Sequence, residues 1–174
     1  MSVLSSSVAG LSPLERLQIA LDSTASLRTR IVWLVGRPGT GKTRLLQDLA
    51  RARPDCEYIN VNRELAKALV DRPAGSRPFD APGCLSAVLP ARPSGAWLAD
   101  NTELPMSREL KLAVVERFKA IGQHVSLVVA WCGDRRNNKL VYGTPGHPDY
   151  REFVLESPLV VDLNDTQNIS TQGP

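Results

Sequence analysis

Short apolar runs alternate along this chain with stretches in which apolar residues recur at helical spacing. The apolar runs predict five strands, most of them buried on both faces, at 31–35, 56–62, 95–100, 125–132 and 158–163. Helical spacing and helix-start signals predict four helices, at 13–23, from Gly41 up to Pro54, at 63–70 and at 107–122. This alternation is typical of an α/β fold in which helices cover both faces of an open, mainly parallel sheet of five strands.

Proline and glycine predict where the regular structure stops. Ser12 is placed to cap the first helix, with Pro13 at its first position. Residues 71–94 carry seven prolines and glycines, so we predict a region that is mostly loop, in which only 84–89 has the pattern of a short helix. The other predicted loops are a polar one at 133–139 and a turn-rich one at 142–153.

The length of 174 residues fits one domain with a single core. We expect a helical N-terminal segment at 1–29, one α/β domain at 30–163 and a polar, frayed tail at 164–174. A hydrophobic content of 43% and a charged content of 22% are ordinary for a globular protein.

Charge, cysteines and hydropathy exclude several classes of protein. A formal charge of +3 without a dense Lys/Arg run does not indicate nucleic-acid binding, so DNA contact stays open. Three widely spaced cysteines do not form a disulfide framework or a zinc motif. No apolar segment approaches the roughly 18 residues of a membrane span, and the N-terminus lacks the features of a signal peptide. We therefore expect a cytoplasmic protein without membrane contact.

One glycine-rich segment lies between the first strand and the following helix. It reads GRPGTGKT, from Gly36 to Thr43, and matches the pattern GxxxxGK[ST]. A loop that wraps a phosphate aims successive backbone N–H groups inward, which requires dihedral angles and a close approach that side chains obstruct. Glycine-rich turns also occur without ligands, but the strand before and the helix after favour a nucleotide site. The predicted nucleotide contacts are Gly36, Arg37, Pro38, Gly39, Thr40, Gly41, Lys42, Thr43 and Arg44.

The residues of this loop have distinct predicted roles toward ATP and Mg²⁺. Lys42 would reach the β- and γ-phosphates as a catalytic residue, and the Thr43 hydroxyl would be a ligand of Mg²⁺. The start of the helix would add the positive end of its dipole.

A carboxylate at the end of another buried strand would complete a metal site. Asp100 follows the apolar residues 96–99, and ligands gather at the carboxyl ends of parallel strands, so we predict that Asp100 holds the metal. The alternative is that Asp100 caps the next segment. Glu103 is the candidate catalytic base, and a solvated loop carboxylate is the equal alternative.

Five further residues are considered for minor roles. Cys132 and Asp134 follow the fourth strand, where a polar residue could sense the γ-phosphate. Arg135 and Arg136 could serve a neighbouring subunit as an arginine finger, although a solvated basic loop is the simpler interpretation. His147 has no nearby Cys or His and is predicted to be a turn or packing residue.

The chain resembles BrxF, the family of small P-loop proteins of type 3 BREX phage-defence systems in bacteria. The resemblance runs from about Arg30 to Leu163, and its specific part is the AWxG…PGHPxYR pattern. That pattern is matched by Ala130, Trp131, Gly133, Pro145, Gly146, His147, Pro148, Tyr150 and Arg151.

The resemblance implies an ATP-binding accessory component of a BREX complex with an AAA-like P-loop NTPase core in three layers. It assigns nucleotide contacts to Gly36–Thr43 and the acidic motif to Asp100, Asn101 and Glu103. We expect this core to be without the helical lid of full AAA proteins. The expected partners are other BREX components, and sites of this kind are commonly completed between subunits, so an ATP-dependent homo-oligomer is a further expectation.

Two other functions stay open at this point. A nucleotide-gated scaffold would bind ATP with negligible turnover. A small-molecule kinase would use arginines from a lid, and the loop at 71–94 contains Arg72, Arg77 and Arg92.

Overall fold

A computed structural model describes residues 10–92, 94–156 and 159–164. In that part of the chain the helices are α1 (Pro13–Ser23), α2 (Lys42–Ala52), α3 (Val61–Leu69), α4 (Arg77–Val88) and α5 (Val114–Gly122). The strands are β1 (Ile31–Gly36), β2 (Cys56–Asn60), β3 (Ala96–Asp100), β4 (Ser126–Cys132), β5 (Asp134–Arg136), β6 (Lys139–Tyr142), β7 (Arg151–Val154) and β8 (Val160–Asp162).

Five strands form one parallel sheet in the order β2-β3-β4-β1-β8. This confirms the predicted α/β class and the predicted five-stranded parallel sheet. The chain leaves β1 for the far edge at β2 and then returns strand by strand through β3 and β4. Because parallel crossovers are right-handed, the reversal at β2 sends the later connections to the opposite face from α2.

Two apolar clusters lie on the two faces of this sheet. One joins α1 and α2 to Val32, Leu34 and Leu98. The other joins α3, α4 and α5 to Trp33 and Trp131, whose rings meet edge to face with centroids 5.8 Å apart. Since β1 is buried along its whole length, the loop that follows it is anchored to the centre of the molecule.

The ends of the first helices follow the predicted signals. Ser12 and Glu15 form a capping box at the start of α1, and Pro13 occupies its first turn. Helix α2 ends at Ala52, two residues before Pro54. Strand β2 stops two residues earlier than predicted because the Asn60 side chain caps α3, accepting a hydrogen bond from the Arg63 amide at 2.9 Å.

The prediction that residues 71–94 are mostly loop is wrong. Helix α4 occupies 12 of these residues. Pro78 lies in its first turn, where a missing N–H removes no helical bond. Pro82 lies one turn further on, so its missing N–H removes only the bond to the Pro78 carbonyl. Burial of Ala81, Cys84 and Leu85 against the neighbouring helices stabilises the helix in spite of this loss.

The predicted helix at 107–122 is correct only in its second half. Residues Arg108–Leu110 form a 3₁₀ turn, Lys111 adopts a left-handed φ of 49°, and α5 begins at Val114. Leu110 and Leu112 are both buried in the same cluster. A continuous helix would put residues two positions apart on different faces, so burying both requires the break.

The predicted loops at 133–139 and 142–153 contain a second sheet. Strands β5, β6 and β7 are antiparallel, and Asn137 at the tip of the first hairpin has a left-handed φ of 54°. Strand β5 has no apolar pattern that would predict a strand, because two of its three side chains are exposed and polar. Leu140 and Phe153 of this sheet pack on the cluster around Trp131, which makes it part of the same fold.

Residues 10–29 of the predicted N-terminal helical segment at 1–29 are described, and they contain α1. The predicted tail at 164–174 lies outside the described residues apart from residue 164. Among the residues that the structure describes, no helix combines the length and the apolar character needed to cross a membrane.

Candidate functional site

The loop between β1 and α2 favours glycine at three positions, two because of their backbone angles and one because of a close side-chain contact. Gly39 and Gly41 have φ angles of 81° and 91°, in the left-handed region that favours glycine. A Cβ on Gly36 would lie 2.2 Å from the Thr40 hydroxyl oxygen. The sequence spacing of these glycines therefore has a steric cause in the folded chain.

The Lys42 side chain folds back over this loop. Its Nζ donates hydrogen bonds to the carbonyl oxygens of Gly36 at 2.6 Å and Arg37 at 2.9 Å. The Thr40 hydroxyl donates to the same Arg37 carbonyl at 2.9 Å. The ammonium group is thus held at the mouth of the loop, within reach of an anion that the loop would surround.

Helix α2 begins directly at this loop, with Gly41 at its N-cap. Glycine has no side chain to accept from the first backbone amides, and no side-chain cap is found there among the described residues. The first amides of a helix carry its partial positive charge. The start of α2 is therefore suited to bind an anion, with the Thr43 side chain beside it.

Asp100 lies at the carboxyl end of β3 and is only 2% exposed. Leu98 of the same strand packs on the cluster that contains α2, so strand alternation places Asp100 on that face. Its Oδ2 accepts a hydrogen bond of 2.8 Å from the Tyr58 hydroxyl. Burial, followed by this hydrogen bond, raises the pKa of Tyr58 to about 12.

Glu103 lies in the turn after β3, and Asn62 fixes its position. The side-chain amide of Asn62 makes two hydrogen bonds. Its Nδ2 donates to Glu103 Oε2 at 3.0 Å, and its Oδ1 accepts from the Leu104 backbone N–H at 2.7 Å. The Asn62 backbone N–H donates to the Asn101 carbonyl at 2.9 Å. Asn101 has a left-handed φ of 50°, which asparagine tolerates better than most residues. One residue of α3 therefore holds the whole turn that carries Glu103.

These elements border a single cleft of about 710 Å³, which we call the β1–α2 cleft. Its lining includes eight of the predicted site residues: Pro38, Gly39, Gly41, Lys42, Thr43, Arg44, Asp100 and Glu103. Gln47, Asn101 and Cys132 complete the lining. Strand β4 separates β1 from β3, so the carboxyl ends of these two strands lie about 10 Å apart.

Three predicted nucleotide contacts lie beside the cleft and not in its lining. Gly36 and Thr40 form the base of the loop. The Arg37 guanidinium turns away and makes two hydrogen bonds to Asp134, at 2.8 and 3.3 Å, which raise the pKa of Arg37. Its backbone N–H donates to Asn164 Oδ1 at 2.9 Å.

The candidates for minor roles are separated by the fold. Cys132 lines the cleft, and burial raises the pKa of its thiol. Asp134 is occupied by Arg37 and by Asn164. Arg135 and Arg136 are exposed on β5. His147 lies in an exposed turn, where its Nδ1 accepts from the Asp149 amide at 3.2 Å.

Three residues of this region carry no separate signal in the sequence: Tyr58, Asn62 and Asn164. Their roles depend on contacts between chain positions that lie far apart, such as Tyr58 and Asp100, which are 42 positions apart. In the part of the chain that the structure describes, no group of three or more His, Cys, Asp or Glu side chains could hold a metal ion. A magnesium ion needs only one or two carboxylates together with water and substrate phosphates, so the set of Thr43 and Asp100 fits that ion.

Comparison of the chain with protein-family models, with curated proteins and with solved structures finds no match. The fold and the site define the class: an α/β protein whose central parallel sheet carries a glycine-rich loop and two acidic side chains at one edge.

Proposed function

We propose that this protein binds Mg²⁺–ATP in the β1–α2 cleft and hydrolyses it. The observation that carries the proposal is the placement of Lys42, Thr43, Asp100 and Glu103 around one cleft. Four residue types that phosphoryl-transfer sites use, drawn from two separate segments, border the same space.

The loop and the start of α2 would bind the phosphates. Backbone amides freed by the absence of side chains at Gly36, Gly39 and Gly41 would surround the anion. Lys42 would exchange its two carbonyl partners for phosphate oxygens. Carbonyl oxygens are weaker acceptors for an ammonium than charged oxygens, so this exchange favours the bound state.

Thr43 and Asp100 would hold the magnesium ion of the substrate, the first directly and the second directly or through water. Glu103 would accept a proton from the attacking water. The amide of Asn62 holds the Glu103 carboxylate through Oε2, which leaves Oε1 for the water.

The resemblance to BrxF supports a more specific role as an accessory or regulatory component of a bacterial phage-defence complex. In that role the fold would be a three-layer, AAA-like P-loop NTPase core. The partners would be other BREX components or further copies of this chain, and turnover would depend on them.

A nucleotide-gated scaffold is the second candidate. It is favoured by one observation: the residue directly after Asp100 is Asn101 and not a carboxylate, so the candidate base, Glu103, lies further along in the turn after β3.

An assay of phosphate release from Mg²⁺–ATP distinguishes the ATPase from the scaffold. It is run with and without partner proteins. Hydrolysis should occur in the wild type and fall at least about 100-fold in Asp100→Asn, since that change removes the charge that holds the metal. Asp71→Asn alters an exposed aspartate outside the cleft and should leave the rate unchanged. Binding without release under every condition would favour the scaffold, and transfer of the γ-phosphate to a metabolite would favour a kinase.

A further inference from the structure

Tyr58 links the second strand to the acidic end of the third. Tyr58 pairs in register with Leu98 on β3, and its side chain packs on the face that α2 covers. From there its hydroxyl reaches two residues along β3 to donate to Asp100 Oδ2 at 2.8 Å. The contact joins two strands at the edge where the cleft opens.

The hydrogen bond divides the two oxygens of Asp100 between two roles. Among the described residues, Tyr58 is the side chain that donates to this carboxylate, and it donates to Oδ2 alone. Asp100 is only 2% exposed, so its carboxylate is shielded from solvent. The oxygen that remains, Oδ1, is the one left to a ligand in the cleft.

We propose that Tyr58 is a positioning residue for the divalent cation that accompanies the nucleotide, acting through Asp100. This inference rests on the proposed function. A carboxylate that ligates a metal depends on an outer partner to fix its orientation, and loss of such a partner typically weakens metal binding by about 10- to 100-fold. Tyr58 supplies that partner from β2, a strand whose residues do not line the cleft.

A neutral phenol suits this role better than a cation would. A lysine or arginine at this position would pair with Asp100 and compete with the metal for its charge. The hydroxyl group donates one hydrogen bond and leaves the negative charge on the carboxylate available. The half-buried ring packs on the cluster that α1 and α2 form, which holds the hydroxyl in place.

The substitution Tyr58→Phe removes the hydroxyl and keeps the ring. Mg²⁺ is titrated into the protein at a fixed concentration of a fluorescent ATP analogue, and binding of the analogue is also measured in EDTA. We expect Tyr58→Phe to need about 10-fold more Mg²⁺ for half-maximal binding, with affinity in EDTA within about twofold of wild type. A purely structural role would instead lower the melting temperature and both affinities together.

Tyr150→Phe is the matched control. Its hydroxyl also donates to a carboxylate, that of Glu152 on β7. Neither residue lines the cleft. Tyr150→Phe should keep the wild-type Mg²⁺ requirement. An unchanged requirement in Tyr58→Phe, with the wild type binding normally, would overturn this inference and leave the proposed function standing. Absence of binding by the wild type would overturn both.

Discussion

The guanidinium of Arg37 and the carboxylate of Asp134 are joined by two hydrogen bonds, of 2.8 and 3.3 Å, across the gap between the glycine-rich loop and the start of β5. Asn164 strengthens this junction. Its side chain accepts from the Arg37 amide and donates to the Gly133 carbonyl at 3.0 Å. The loop is thereby tied both to the second sheet and to the end of β8.

The first prediction concerns the mobility of the loop. Asp134→Ala removes both hydrogen bonds from Arg37 and one from Asn164, so the amides of residues 37–41 should exchange with deuterium faster than in wild type. The melting temperature should change little, because exposed ion pairs contribute little to stability. Hydrogen exchange followed by mass spectrometry measures the effect. Glu116→Ala, which removes an exposed partner of Lys119, is the control. Unchanged exchange at 37–41 would show that the junction does not restrain the loop.

The second prediction concerns the steric role of Gly36. In Gly36→Ala the new methyl group would lie 2.2 Å from the Thr40 hydroxyl oxygen, so we expect a loss of about 1–3 kcal/mol in the free energy of unfolding. Urea denaturation measures it. Gly75→Ala is the control, because a Cβ there meets nothing within 4 Å. Adding Thr40→Gly to Gly36→Ala should restore part of the loss. A Gly36→Ala variant as stable as wild type would mean that the loop is looser than described.

The third prediction concerns Glu103 and its partner. Glu103→Gln should lower the rate of ATP hydrolysis by about 100-fold or more and leave ATP affinity nearly unchanged, since it removes only the proton acceptor. Asn62→Ala removes the donor to Glu103 and the acceptor of the Leu104 amide, so it should disturb turnover more than binding. Phosphate release at saturating ATP measures both variants. Full activity in Glu103→Gln would exclude this residue as the base.

The fourth prediction is a pH dependence of stability. The pKa of Tyr58 is raised from its ordinary value of 10.0 to about 12, chiefly by burial and then by the hydrogen bond to Asp100. The folded protein therefore holds this proton more tightly than the unfolded chain does. The contribution of the Tyr58 proton to the free energy of unfolding is complete below pH 10, and it is lost as the pH rises from 10 toward 12.

Urea unfolding of wild type and Tyr58→Phe between pH 10 and 12 tests whether the contribution of Tyr58 to stability falls as the pH rises. The difference in stability between the two proteins should narrow as the pH rises, because only the wild type loses a contribution. A constant difference would contradict the raised pKa.

The central sheet could be predicted from the sequence because its signal is local. Buried strands such as Ile31–Gly36 are apolar at nearly every position, and each is followed by a change of pattern. The glycine-rich loop is equally local: the spacing of Gly36, Gly39 and Gly41 reflects backbone angles and one close approach. The position of Asp100 follows from the same local pattern, since it ends an apolar run.

The rest depends on contacts that no local pattern encodes. Helix α4 forms despite Pro82 because three of its residues are buried, and burial outweighs propensity. Strand β5 is polar because its sheet has an exposed face, so its pattern looks like a loop. Three residues each make a side-chain contact to a position that lies more than 40 residues away in the chain: Tyr58, Asn62 and Asn164.

Isothermal titration calorimetry with Mg²⁺–ATP tests the central claim most directly, that main-chain amides and Lys42 bind the phosphates at the start of α2. We expect saturable binding by the wild type and an affinity at least about 10-fold weaker in Lys42→Ala, since a charged hydrogen bond contributes about 1.5–3 kcal/mol. Lys67→Ala, on the exposed side of α3, should bind as the wild type does. No heat and no thermal shift with the wild type, or a Lys42→Ala variant of unchanged affinity, would contradict the account.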